Sequence, residues 1–326
     1  MSTPISQPAV VHPVPEQAPR REAASLRTGA RDRPGAATLE GSRRGRTAVT
    51  TTTRPQPLAR RQRAALRDLV DADRLPGQPV LSAAALAQAL AGRSPIDAGC
   101  WDELTDLHVD VIPGDGDTLA GAVSWAIRPG DHTGVLLWLH AREQPAPVAA
   151  LIEHATAQHD GPWQAFDFAT ALTLGVEALP VAHRPVTAAA LTARGFLGRD
   201  LWRYLHRWLT DLPPRPALEL TVTPARLDGW ALSTSDGAGT VEVTAPVGGT
   251  AMIGWLGVDP TARGRGLGAA LLHAALHHLA GHGASDVVLY VDDDEPGGER
   301  DRTAANHLYD RTGFTQIDRL HSYSRP

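Results

Sequence analysis

The apolar positions between 63 and 90 recur at helical spacing, first at Leu66, Leu69 and Val70 and then at Leu81, Leu86 and Leu90. The break at Pro76-Gly77 predicts two helices rather than one. Apolar runs over 119–127 and 135–140, parted by Pro129-Gly130-Asp131, predict strands. A helical pattern over 147–158, a run over 163–171, a short helix over 186–194 closing at Gly195-Phe196 and a run over 201–209 complete a first set. After Asp211-Leu212-Pro213-Pro214 the pattern starts again, with strands over 218–223, 230–234, 240–245 and 252–258 and hairpin turns at Asp236-Gly237 and Gly248-Gly249. A helix over 267–280 carries Leu267, Leu271, Ala275, Leu276 and Leu279 on one face and stops at Gly281-His282-Gly283. A strand over 287–291, a helix over 303–311 and a strand near 316–323 follow. Antiparallel strands, then helix, strand, helix and strand, predict an α+β class. The two sets share their order of elements. Residues 187–196 can be laid on the segment ending at 308–314, which puts Leu191 where Tyr309 stands.

Length sharpens this into domains. A chain of 326 residues is too long for one ordinary domain and suits two. The expected division is a disordered tail over 1–60, a first domain over 61–212 and a second over 213–326. The tail shows no helical or strand period and few large apolar groups, so it cannot bury enough surface to offset its ordering entropy. All basic residues are arginine, and they are uneven: the three regions carry net charges of +6, −6 and −5. The basic tail has no interleaved aromatics to stack on bases, so no nucleic-acid partner is expected. No run approaches the ~20 apolar residues of a membrane span, and the first residues lack the apolar core of a secretion signal, so a cytoplasmic protein is expected. The one cysteine, Cys100, excludes an internal disulfide and a cysteine-rich zinc site. His273, His277, His278 and His282 lie at helical spacing but have no evident further ligand, so they read as a polar stripe and no metal is expected.

Chemistry concentrates between strand 252–258 and its helix, in Arg263-Gly264-Arg265-Gly266-Leu267-Gly268. Glycines at 264, 266 and 268 remove side chains that would hold a ligand off the backbone. The bared amides point, with the helix dipole, at whatever occupies the helix N-terminus, which suits a diphosphate, and the two arginines add charge. No Gly-Lys-Ser/Thr follows, which excludes a Walker A loop. The preceding antiparallel hairpins exclude a dinucleotide-binding βαβ unit.

This Arg-x-x-Gly-x-Gly spacing, preceded by Gly254-Trp255-Leu256-Gly257-Val258 and followed by Leu308-Tyr309 and Gly313-Phe314, resembles the GNAT superfamily of N-acetyltransferases. The resemblance implies a mixed sheet flanked by helices and acetyl-CoA as cosubstrate. It also implies two parallel strands, 252–258 and 287–291, splayed to admit the pantetheine arm. Leu256, Gly257 and Val258 would meet pantetheine through the main chain, and Arg263, Gly264, Arg265, Gly266, Leu267 and Gly268 would hold the pyrophosphate. Many members place Asn seven positions before the helix tyrosine. Arg302 stands there in this chain, with Asn306 out of register, and both are candidate cofactor contacts. The whole chain is similar to tandem proteins of the mycothiol synthase type, with a degenerate first lobe and an active second one. The first lobe offers Arg142-Glu143-Gln144-Pro145-Ala146-Pro147 at the equivalent turn, without glycine and with two ring-blocked nitrogens.

Amine acetylation needs a base for the nucleophile and an acid for the leaving thiolate. Tyr309 and Tyr290 are the candidate acids. The family's usual glutamate is replaced by Thr250, Ala251 and Met252. That leaves Glu242, or Asp292, Asp293, Asp294 and Glu295 acting through water, as candidate bases. The acidic residues equally suit attraction of a cationic acceptor. The expected activity is acetyl transfer to a primary amine of a small polar molecule, by a monomer or homodimer. The alternative is an acetyl-CoA sensor without turnover.

Overall fold

The computed structural model describes residues 54–93, 104, 106–167, 178–225, 228–292 and 301–326, all within one compact unit, Thr51–Pro326. The first half runs β1 (Gln56–Pro57), α1 (Arg63–Ala72), α2 (Ala83–Leu90), β2 (His108–Pro113), β3 (Leu119–Ile127), β4 (Gly134–His140), α3 (Pro145–Thr156), β5 (Trp163–Ala165), β6 (Leu179–Pro180), α4 (Pro185–Thr192) and β7 (Leu197–Trp208). The second runs β8 (Leu220–Pro224), β9 (Gly229–Thr234), β10 (Gly239–Thr244), β11 (Thr250–Val258), α5 (Leu267–Gly281), β12 (Asp286–Asp292), α6 (Thr303–Arg311) and β13 (Thr315–Arg325).

All the strands join one sheet in the order β1-β2-β3-β4-β5-β13-β7-β12-β11-β10-β9-β8, with β6 on β13. Among the described residues only β4–β5 and β11–β12 are parallel pairs, each joined by the helix between them. The final strands are exchanged: β7 sits between β12 and β13, while β13 goes on to pair with β5 and β6. A sequence boundary after 212 therefore leaves β7 inside the sheet of the second half.

Alternation along the strands fills both faces. In the second half Val241, Val243, Ala251, Ile253, Val287, Leu289 and Val291 meet the apolar stripe of α5 and the ring of Tyr309 on α6. In the first half α3 and α4 cover one face through Leu151, Ile152 and Leu191, and α1 and α2 cover the other through Leu66, Leu69 and Leu86. A fourth cluster, Leu75, Trp202, Tyr204, Met252, Val288 and Leu320, lies on the central strands away from α5.

Three expectations change. The tail predicted to reach residue 60 gives way earlier: Gln56 and Pro57 pair with β2, and Leu58 donates its amide to the Val109 carbonyl at 2.9 Å. An edge strand recruited by a distant partner leaves no local period. The strand predicted over 163–171 ends at Ala165, Phe166 turns at φ 54°, and 168–171 lie outside the described residues. The polar stripe of histidines is partly packed. His277 Nε2 lies 2.7 Å from the Pro213 carbonyl, and the rings of His278 and His282 pack tilted against each other and edge-on or tilted against Trp230. Asp293, Asp294 and Glu295 and the tail before 54 lie outside the described residues.

Candidate functional site

β11 and β12 pair only from Thr250↔Asp286 to Met252↔Val288, yet run on to Val258 and Asp292. Beyond Met252 the two strands diverge. The gap opens beside Leu256, Gly257 and Val258 on one side and Leu289 to Asp292 on the other. β11 carries an extra residue here, since Glu242 faces Trp255 and Val243 faces Ile253 across β10–β11, leaving Gly254 as a bulge. At the closed end no carboxylate of β11 reaches the gap. Met252 is buried, and the Thr250 hydroxyl donates to Asp286 at 3.1 Å.

The glycine turn stands at the open end of the gap. Pro260–Ala262 form a single 3₁₀ turn whose start is capped by Asp259, which accepts from the Thr261 amide at 2.8 Å. Gly264 and Gly266 then take φ of 76° and 79°, in the left-handed region where a side chain is strained, and nothing lies within 4 Å of where either Cβ would be. Gly266 caps α5 without a side-chain bond. The amides of residues 264–268 donate to no acceptor among the described residues. They form a run of donors on a helix N-terminus, an arrangement that suits an anion. Arg263 and Arg265 are exposed, folded back onto the Val258 and Thr261 carbonyls at 3.1 and 3.0 Å.

α6 lies on the α5 side of the gap. A Cβ on Gly268 would sit 3.6 Å from Val258 and 3.7 Å from Leu308, so the two helices converge at the head of the gap. Tyr309 is buried there, its ring 5.7 Å from Phe314. Burial pushes its hydroxyl up to about 12, against the opposing charge of Arg302. Arg302 caps α6 with its Nε 3.8 Å from Asp292. Asn306 is engaged within the fold: its amide nitrogen donates to the Asp292 carbonyl at 3.0 Å and its oxygen accepts from Arg203 at 2.7 Å. It clamps the tip of β12 to α6 and β7.

The other two candidates lie across the sheet. Val241 and Val243 face α5, so alternation turns Glu242 to the opposite face, beside Trp255. Tyr290 points the same way, between the faces of Val288 and Asp292. The structure thus separates Tyr309 from Tyr290 and groups Tyr290 with Glu242. Two residues that the sequence reading passed over complete this face. Trp255 is 56% exposed, with its indole over Gly257. Trp202, from β7, packs on Tyr290 at 4.7 Å and donates to Asp292 at 2.6 Å. The alternation Trp202, Tyr204, His206, Trp208 within the run over 201–209 was the available signal for a shared face.

The first half has a matching place, where β4 pairs with β5 only from Gly134↔Trp163 to Leu136↔Ala165 before α3 begins. Here the turn amides of Ala141 and Arg142 donate to the Asp73 carboxylate at 3.1 and 3.2 Å. Glu143 receives Arg184 Nε at 2.6 Å and the Val186 and Thr187 amides at the start of α4 at 2.7 and 3.0 Å. Leu191 occupies the place of Tyr309, since the Phe196 amide bonds its carbonyl as the Phe314 amide bonds that of Tyr309, at 3.2 and 3.1 Å.

Residues 197–314 match the model of the Acetyltransferase (GNAT) family. A mycothiol acetyltransferase of Gordonia bronchialis is 51% identical over 71 residues, 22% of this chain and 21% of that protein. One of Rhodococcus erythropolis is 43% identical over 83 residues, 24% of each. The matched segments thus span under a quarter of these relatives' length. Among solved structures, a tandem GNAT protein from the clavulanic acid biosynthesis pathway superposes with a TM-score of 0.54 at 18% identity, covering 83% of this chain and 97% of that one. A GCN5-related N-acetyltransferase from Sphaerobacter thermophilus gives 0.52 at 15%, covering 86% and 98%. The fold is therefore the mixed α+β fold of this family, with a tandem protein among its neighbours. No helix among the described residues is long and apolar enough to cross a membrane.

Proposed function

From the premise that residues 197–314 carry a GNAT-family domain, we propose that this protein moves an acetyl group from acetyl-CoA to a primary amine of a small polar acceptor. The observation that carries this reading is the open gap between β11 and β12 leading to unpaired amides at residues 264–268. A thioester ligand with a diphosphate suits both parts. The amides of 264–268 and the arginines 263 and 265 bind the diphosphate, and the edge of β11 at Leu256 to Val258 pairs with pantetheine. The acceptor approaches from the face of Glu242, Tyr290 and Trp255.

In the transfer, the amine nitrogen bonds to the thioester carbonyl carbon and the carbon–sulfur bond breaks. The proton of the amine passes to Glu242, or through water to Asp292, and Tyr309 gives a proton to the departing sulfur. Burial outweighs the opposing charge of Arg302 and keeps the Tyr309 hydroxyl protonated and able to donate, and solvent returns its proton after the transfer. An acceptor of the mycothiol type is suggested by the names of the relatives, and amino sugars and aminoglycosides are the other small polar amines we consider. We further read the chain as a tandem in which the first half binds no acetyl-CoA.

A second reading, an acetyl-CoA sensor without turnover, draws on the absence of a carboxylate at Thr250 to Met252. Release of coenzyme A measured over amino sugars, aminoglycosides, polyamines and peptide N-termini decides between them. Turnover with any of these supports the enzyme. Tight acetyl-CoA binding with no release above the uncatalysed rate supports the sensor.

A further inference from the structure

The sheet face away from α5 is covered in one half and open in the other. In the first half α1 and α2 lie on it, with Leu66, Leu69 and Leu86 packed on Val111, Ala122 and Leu137. In the second half β8 and β9 are joined by a short hairpin, in which the Ala225 amide donates to the Gly229 carbonyl at 3.1 Å, so no helix stands between them. Ser233, Thr240 and Glu242 on this face are partly exposed, while Leu232, Val241 and Val243 on the other are buried in the cluster around α5.

Glu242 and Trp255 are the chemically distinct pair on this face. They are direct partners across β10–β11, and the small Ala231 lies on the other side of Glu242. Cross-strand partners share a face with Cβ atoms ~5 Å apart, so the carboxylate and the indole are neighbours. The Ser233 and Thr240 hydroxyls, 2.9 Å apart, bond to each other. Glu242 and the exposed Trp255, by contrast, have no hydrogen-bond, ion-pair or ring partner among the described residues. The indole lies over Gly257, where a Cβ would stand 2.7 Å from Nε1, so the glycine makes room for the ring.

Their place relative to the gap decides what they suit. Glu242 is one strand back from the β11 edge, and a ligand paired to that edge lies a further strand away, a separation on the order of 10 Å. That distance suits a second group of the acceptor better than the nitrogen that attacks the thioester. A carboxylate beside a tryptophan attracts a cation twice, by charge and by the ring quadrupole, and the indole also covers a methylene chain.

We propose that Glu242 and Trp255 hold the far ammonium of a diamine or polyamine acceptor while its other nitrogen is acetylated. This rests on the amine-acetylation reading and adds the acceptor class. Trp255 is then a specificity-determining residue, and the proton of the reacting nitrogen leaves by the water route.

The test uses the full chain with putrescine, spermidine, butylamine and glucosamine as probes. Calorimetry gives the Kd of each amine with coenzyme A bound, and steady-state kinetics give kcat and KM, in parent, Glu242→Gln and Trp255→Leu. In the parent, putrescine is expected to bind about tenfold more tightly than butylamine, which has the same carbon chain but lacks the second nitrogen. Glu242→Gln is expected to remove that preference through KM rather than kcat, and Trp255→Leu to reduce it about threefold. The two variants report separately, so a folding failure in one leaves the other to judge the site. Equal binding of putrescine and butylamine by the parent overturns the proposal. So does tighter binding of glucosamine than of putrescine, which would assign the face to a sugar. A lower kcat for every amine in Glu242→Gln, with the putrescine Kd unchanged, also overturns it, because Glu242 would then be the base. A parent that prefers putrescine in binding but releases no coenzyme A from acetyl-CoA defeats the enzyme reading alone. One that acetylates glucosamine but neither putrescine nor spermidine defeats the proposal alone, and one that neither binds nor acetylates any of the amines defeats both.

Discussion

The turns that follow β4 and β11 occupy the same place in their halves and treat an anion in opposite ways. After β11, Gly264 and Gly266 take left-handed φ and the amides of 264–268 are left for a ligand. After β4, Arg142 and Glu143 take left-handed φ of 49° and 50° despite their side chains, and the amides of Ala141 and Arg142 are taken by Asp73. Glu143 in turn caps α4, and Pro145 and Pro147 remove two donors at the start of α3. The lesson is that two turns in equivalent places differ by more than their glycines. In this chain the protein has supplied its own anions. Burial keeps His140 neutral, so its ring N–H bonds to an ionised Asp73, and Arg184 at 3.7 Å is the compensating charge.

The largest effect separates the two equivalent helix positions, Tyr309 and Leu191. Tyr309→Phe keeps the packing on Phe314 and removes the donor, so kcat is expected to fall ~10²–10⁴-fold with acetyl-CoA affinity retained. With the hydroxyl raised to about 12, the donor stays protonated, so kcat measured from pH 7 to 10 shows no alkaline loss from this group. A parent-like kcat in Tyr309→Phe together with the loss in Tyr290→Phe would move the acid to the other face.

Next in size is Gly266→Val. A β-branched residue at φ 79° is strained and places methyl groups over the open amides, so acetyl-CoA affinity should drop about a hundredfold while circular dichroism keeps its native shape. Unaltered affinity would make the turn a purely structural feature.

Asp73→Asn probes the internal anion. Burial opposes ionisation of Asp73, but the His140 bond, the Arg184 charge and the Ala141 amide outweigh it and bring its pKa to about 2, from 3.8. A depressed carboxylate stabilises above its unfolded value and loses that contribution as pH falls through the folded one. The variant should therefore be about 2 kcal/mol less stable in urea at pH 7, and the difference from parent should shrink between roughly pH 5 and 2. A constant difference across that range would show that packing, not charge, sets the effect.

The smallest expected change is none. Pro145→Ala with Pro147→Ala restores two amides yet leaves Asp73 and Glu143 in place, so calorimetry should still count one acetyl-CoA per chain. A second site in this variant would mean that the prolines alone close the first turn.

Much of the fold was legible because its signals are local. The period of α5, the glycines after β11 and the Gly-Phe pairs at 195 and 313 each act within a few residues, and the predicted α6 over 303–311 matches the observed helix. The same locality explains a failure, since β1 depends on a partner strand far along the chain, Gln56 pairing with Val111. The candidate residues divide in the same way. The amino-acid sequence by itself determined the anion turn, because backbone conformation at Gly264 and Gly266 follows from the lack of a side chain. It also determined which half carries a tyrosine at the helix position of 309 and 191. Only the tertiary structure decided that Tyr309 and Tyr290 stand on opposite faces, that Asn306 clamps β12, and that Asp73 fills the first turn. It alone exchanged β7 and β13, because strand pairing is chosen by the edge each half leaves exposed, and no local pattern records which edge that is.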